Sequence, residues 1–96
     1  MVITILEAHV EEDRSSDLQA AYREGITQLP PQMVQTFLVQ DGSEKTDWRI
    51  ISVWKSRKAL EEMRNSGETP GGVLIFRAAG AEPSLTVYDV RDFSEV

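Results

Sequence analysis

The chain has no cysteine, which excludes disulfides, thiolate metal sites and cysteine nucleophiles together. It has one histidine, His9, and its carboxylates are scattered, so no ligand cluster suggests a metal centre. Glu11, Glu12 and Asp13 are adjacent, but they lack the glycine and spacing of a calcium loop and read as a solvated turn. Gly71-Gly72 stands without further spaced glycines and is no phosphate-binding fingerprint. No apolar run approaches the roughly 18 residues of a membrane span, and no basic region followed by an apolar stretch opens the chain. The expectation is a soluble, cytoplasmic protein without membrane association. Positive charge is in deficit, with 10 Lys and Arg against 16 Asp and Glu, a formal net charge of −6. Lys55, Arg57 and Lys58 form the only basic cluster and read as a solvated helix face. Nucleic acid is therefore not an expected partner.

What is present suits one small core. The chain has 96 residues, 41% of them hydrophobic, and no linker, repeat or low-complexity segment, so residues 1–96 read as a single domain. Residues 2–10 are rich in β-branched side chains and predict a strand. After a polar turn, Ser16 and Gln19 have the spacing of a capping box. Leu18, Tyr22, Ile26 and Leu29 then form a helical stripe that Pro30-Pro31 ends. Residues 33–40 and 48–54 predict strands joined by a loose hairpin at Asp41-Gly42. Ser56 is positioned to cap a second helix running to about Asn65, stopped by Ser66-Gly67. Residues 70–79 are ambiguous. Val73-Leu74-Ile75-Phe76 has strand propensity, but Thr69-Pro70 is a good helix start and Gly80 a good stop, so a short third helix is the preferred reading. Residues 85–92 predict the last strand. The order βαββαβ is the ferredoxin-like α+β arrangement, an antiparallel sheet with helices on one face.

Such a sheet should alternate apolar and polar residues along each strand. The third strand does not: Trp48, Ile50 and Trp54 point one way, Ile51 and Val53 the other. In the first strand Ile3 and Ile5 oppose Val2, Leu6 and Val10. Helices cover only one face, and the second apolar face predicts a homodimer packed sheet to sheet.

The stretch Arg49-Ile50-Ile51-Ser52-Val53-Trp54-Lys55-Ser56-Arg57-Lys58-Ala59-Leu60 resembles the strand-to-helix segment "V-W-x-S-x-x-A-φ" of the antibiotic-biosynthesis-monooxygenase family. The element order matches that family along nearly the whole chain. The resemblance implies a dimeric α+β barrel with a pocket between sheet and helices in each subunit. It also implies a cofactor-free monooxygenase acting on a small aromatic or quinone-forming substrate. The alternative is a non-catalytic ligand-binding or stress-response module on the same scaffold.

Cofactor-free oxygenation requires a site that holds a flat ring, assists loss of a proton, stabilises the anion and excludes water. Trp54 is the candidate wall of such a pocket, and Trp48 and Ser52 share its strand face. His9 is the candidate proton shuttle, because an unperturbed imidazole titrates near neutrality. Tyr22 and Tyr88 are candidate hydrogen-bond donors, and Arg77 a candidate anion holder. Core packing or surface solvation accounts for each of these residues as well. Two departures bear on the branch. The aromatic-oxidising members carry an Asn four residues before the strand Trp, where this chain has Ile50. The haem-degrading members use an Asn on the first strand and a His on the second helix. Here the only residues of those types are Asn65 and His9, so haem is not an expected cofactor.

Overall fold

The computed structural model describes residues 1–96. Its elements are β1 (Val2–His9), α1 (Ser15–Gly25), β2 (Met33–Gln40), β3 (Asp47–Trp54), α2 (Arg57–Asn65), α3 (Gly71–Ala78) and β4 (Ser84–Asp89), with short 3-10 turns at Glu12–Arg14 and Ile26–Gln28. The four strands form one sheet in the order β2-β3-β1-β4, with every neighbouring pair antiparallel. This is the ferredoxin-like α+β topology, with the sheet's inner face packed against the helices.

The start of α1 differs from the capping box expected at Ser16. The helix already includes Ser15, and no side chain caps it. A 3-10 turn leads directly into it: the Arg14 N–H donates to the Glu11 carbonyl at 2.9 Å and the Ser15 hydroxyl to the Glu12 carbonyl at 2.9 Å. The Ser15 N–H also bonds the Glu12 carbonyl, so the turn runs straight into the helix and Ser16 lies inside it rather than at its cap. At its other end α1 gives way to the second 3-10 turn, which stops before Leu29. Leu29 is extended (φ −81, ψ 146), as a residue preceding proline should be. In α2 the Ser56 cap is made, with the Ala59 N–H donating to Ser56 Oγ at 3.1 Å.

The ambiguous stretch is helical. α3 closes with paired bonds from Ala81 N–H to the Phe76 carbonyl and from Gly80 N–H to the Arg77 carbonyl, each 3.0 Å, with Gly80 at φ 74. That is the Schellman arrangement, in which glycine reaches a left-handed conformation that costs other residues energy. β4 ends at Asp89 rather than at residue 92, because its partner strand runs out: Val2 opposite Asp89 is the last pair. β1 likewise stops at His9, and the Val10 N–H turns aside to the Thr46 carbonyl at 2.8 Å.

Alternation along the strands separates the two sheet faces. Inward residues Val2, Thr4, Ala8, Trp48, Ile50, Ser52 and Trp54 are buried. They contribute to two apolar clusters. One joins Trp48, Ile50, Val10, Leu18 and Phe76, and the other joins Val2, Trp54 and Leu60. The opposite face carries Ile3, Ile5, Ile51 and Val53, all half-buried, with Phe37, Val39 and Tyr88 exposed beside them.

Candidate functional site

Strand register builds the floor of a cleft between the two clusters. Thr36 of β2, Ser52 of β3 and Thr4 of β1 are direct partners and form one row across the inner face. Strands in a sheet lie about 4.8 Å apart, so the row spans roughly 10 Å. The flanking rows are apolar: Leu38, Ile50 and Leu6 on one side, Met33, Trp54 and Val2 on the other. A hydroxyl stripe therefore crosses an otherwise hydrophobic surface.

Above this floor is a cleft of ≈ 510 Å³. Tyr22 and Ile26 line it from the α1 side, Leu60, Met63 and Arg64 from α2, and Gly72 and Ile75 from α3. Its volume is in the range of small-molecule sites, as is its mixture of apolar walls with a few convergent polar groups. Gly72 lets α3 begin close to the floor, since a Cβ there would lie 2.5 Å from Leu6 Cδ1. Two methionines, Met33 and Met63, pack beside the Trp54 cluster; their flexible thioethers can adapt to a flat ring.

The hydroxyls are only loosely engaged with one another. Trp54 Nε1 donates to Thr4 Oγ1 at 3.0 Å. Thr36 Oγ1 and Ser52 Oγ are 3.3 Å apart, and Tyr22 Oη donates to Thr36 Oγ1 at 3.5 Å. Hydroxyl pairs prefer about 2.7–2.8 Å. The row therefore keeps hydrogen-bonding capacity for an oxygen atom entering the cleft.

Three of the residues singled out in the sequence, Trp54, Ser52 and Tyr22, meet here. The others do not. Trp48 shares the inward face but sits six residues from Trp54, roughly 20 Å along the strand. It packs with Ala8, Val10 and Leu18, and its buried Nε1 has no partner. His9 falls on the opposite face by alternation. Its side chain is 65% exposed, with Nε2 3.0 Å from Glu11 Oε1. It borders a shallow acidic hollow formed with Glu7, Glu44, Asp47 and Glu82, so it cannot shuttle protons inside the cleft. Tyr88, 55% exposed, is also on the outer face, opposite Ile3. Arg77 bonds Glu82 through Nε at 3.0 Å and Nη2 at 2.8 Å. That bond raises the Arg77 pKa and holds the Glu82 carboxyl below its ordinary range. Arg77 is thus engaged with a carboxylate outside the cleft.

The sequence reading missed Thr4, Thr36 and Arg64. For the threonines a signal existed: each occupies an inward position in a strand whose other inward residues are mostly apolar. Ile50, at the position where one family branch carries Asn, is buried beside Leu6 and Leu38 and adds no hydrogen bond. No group of three or more His, Asp and Glu is arranged to hold a metal ion, and no helix is long and apolar enough to cross a membrane.

A four-stranded antiparallel sheet with a ligand-sized cleft beneath its helices defines a class of small α+β proteins, and comparison narrows it. The family model for antibiotic biosynthesis monooxygenase matches residues 1–69, and the chain belongs to that family. Similar solved structures include a protein of Deinococcus radiodurans, with TM-score 0.75 and 14% identity over 100% of this chain and 98% of that one. They also include a point mutant of SnoaB, a cofactor-independent oxygenase from Streptomyces nogalater, with TM-score 0.71 and 14% identity over 96% of this chain and 94% of that one. Rv0793 from Mycobacterium tuberculosis is similar too, with TM-score 0.68 and 18% identity over 99% and 100%. At these identities the likeness concerns the fold. No curated protein matches the sequence.

Proposed function

We propose that the chain is a cofactor-independent monooxygenase that oxidises a small aromatic or quinone-forming substrate in the cleft and works as a homodimer. The observation that carries this reading is the hydroxyl row of Thr36, Ser52 and Thr4, set in an apolar cleft beside Tyr22 and Trp54. Family membership and the likeness to a cofactor-independent oxygenase support it.

In the proposed reaction an electron-rich substrate anion supplies the electrons. A methylene flanked by aromatic rings loses two hydrogens and becomes a carbonyl. Dioxygen delivers one atom to that carbon, and the other leaves as water with the two hydrogens. No external reductant is needed. Tyr22 and Ser52 donate hydrogen bonds to the substrate oxygen as it becomes anionic, which lowers the cost of losing the proton. Trp54, Leu60 and Met33 exclude water and strengthen those bonds. The homodimer rests on the outer face, where Ile3, Ile5, Ile51, Val53 and Phe37 form a contiguous apolar area that a second sheet would cover.

One observation favours the second reading, a non-catalytic binding module: Ile50 puts a hydrocarbon where some family members have an amide. Oxygen uptake separates the two. Purified protein with anthrone, a metal chelator and no added flavin is expected to consume oxygen and form anthraquinone well above the buffer rate. Tyr22→Phe and Ser52→Ala are each expected to lower kcat by about tenfold or more, in line with the loss of an anion-stabilising donor. Saturable binding of hydroxylated anthrones without oxygen uptake, across a varied aromatic panel, would establish the binding module instead.

A further inference from the structure

The cleft has two unlike walls. One is made by α1 and α3, which are fastened to each other. Leu18 and Phe76 are fully buried in one shared cluster, and Arg14 Nη2 donates to the Ala78 carbonyl at 2.9 Å. A Cβ on Gly25 would lie 2.8 Å from Ile75 Cδ1, so the two helices meet with no space between them. The other wall is α2 with its connection to α3, which brings Leu60, Met63 and Glu68 to the cleft. The chain is anchored just before this wall, where the Lys55 N–H donates to the Gln32 carbonyl at 3.0 Å, and just after it, where the Pro70 carbonyl accepts from the Val73 N–H at 3.1 Å. Between these points Arg57 alone makes a polar link to another element, with Nη2 2.8 Å from Asp89 Oδ1 of β4. Every other hydrogen bond of residues 56–69 stays within the segment. Ala59 and Leu60 are buried and Met63 is half-buried, while the rest of residues 57–69 is exposed.

We infer that residues 56–69 form a hinged flap, which swings away from the α1–α3 wall to admit a ligand and settles back over it. Segments with few buried side chains and water-exposed backbone bonds are the first to open, and hinges lie at the ends of elements. Both ends suit that role. Ser56 is extended (φ −156, ψ 162) between β3 and α2. Gly67 has φ 84 and open space around it, so the chain turns there without the cost a side chain would impose. Leu60, 1% exposed against Val2 and Trp54, is the pivot. The Arg57–Asp89 pair holds the flap down from outside the cleft and so sets how often it opens. The flap itself follows from these ties alone; only its use in admitting a ligand rests on the reading of the cleft as a binding site.

Native-state hydrogen exchange of the ligand-free protein tests the flap. Helical amides of residues 61–65 should exchange roughly tenfold or more faster than those of residues 19–25 and 75–78. Arg57→Gln and Asp89→Asn remove the same ion pair from opposite ends and leave every lining residue in place. Each should speed α2 exchange a further two- to fivefold or so, the range of an exposed ion pair, with α1 and α3 unchanged. Agreement between the two variants separates loss of the pair from a folding defect in either. Exchange of α2 at the rate of α1 and α3, or equal acceleration of all three helices, overturns the flap. Stopped-flow fluorescence with dihydroxyanthraquinone then tests its use. Asp89→Asn should raise the association and dissociation rate constants by the same factor, leaving affinity unchanged, because a gate acts on entry and exit alike. Bound quinone should slow α2 exchange. Binding with both rate constants unmoved by Asp89→Asn overturns the gate. Absence of binding, with α2 still opening alone, supports the flap and removes the aromatic reading of the cleft.

Discussion

Trp54 shows how one residue serves packing and site at once. It is 4% exposed, packs with Val2 and Leu60, and also lines the cleft. Its indole N–H is held by Thr4, so the ring is fixed relative to the hydroxyl row rather than free to turn. Trp54→Phe is expected to cost about 1–3 kcal/mol, because smaller volume and a lost buried hydrogen bond act together. A double-mutant cycle with Thr4→Val, read by urea denaturation, should give a coupling of about 1 kcal/mol. Additive effects would show that the bond does not hold the ring. Alternation alone assigns Trp48, Ser52 and Trp54 to one face, and all three are there. Only distance along the strand separates the tryptophan of the core from that of the cleft.

At the scale of elements, α2 is the part of the cleft wall with least support. Its buried residues are Ala59 and Leu60, and Arg57 ties its start to Asp89 of β4 at 2.8 Å. The Ser56 cap therefore matters beyond its usual size. Ser56→Ala should lower stability by about 1 kcal/mol, a typical loss for a serine cap. It should also weaken ring binding, since Leu60, Met63 and Arg64 all come from this helix. An unchanged urea midpoint with unchanged ligand affinity would contradict both expectations. The cap was readable in the sequence because Ser56 follows a strand-ending tryptophan and precedes a helical pattern. α3 was harder to read. Its β-branched and aromatic run suits a strand, and the helix prevails because Gly80 closes it while Phe76, 0% exposed, fills the space beneath α1. The expected cap at Ser16 failed because the 3-10 turn runs directly into a helix that already includes Ser15, which leaves Ser16 inside it.

For the whole molecule the deciding feature is the uncovered sheet face. Rows Phe37–Ile51–Ile5 and Val53–Ile3–Tyr88 run across three strands each, while Arg49 and Glu7, joined at 2.6 Å, mark where the charged end begins. Burial of this face between two copies would exclude water from the isoleucines and valine. Light scattering at micromolar concentration should give twice the chain mass for the unmodified protein. Val53→Asp should give monomers or unfolded chains, because a carboxylate without a partner would be forced into the interface. A monomeric unmodified protein would refute the dimer.

The sequence by itself determined the element order, the two-faced sheet and three members of the cleft, Trp54, Ser52 and Tyr22. These follow from periods of two and of about 3.6 residues, which are properties of the local chain. Tertiary structure alone decided the rest. Register placed Thr36, Ser52 and Thr4 in one row. Helix docking left Arg64 at the cleft. The physical reason is common to all of them. Which side chains share a face is set by neighbours in sequence, but which of them meet is set by how distant segments pair, and pairing is a property of the folded chain.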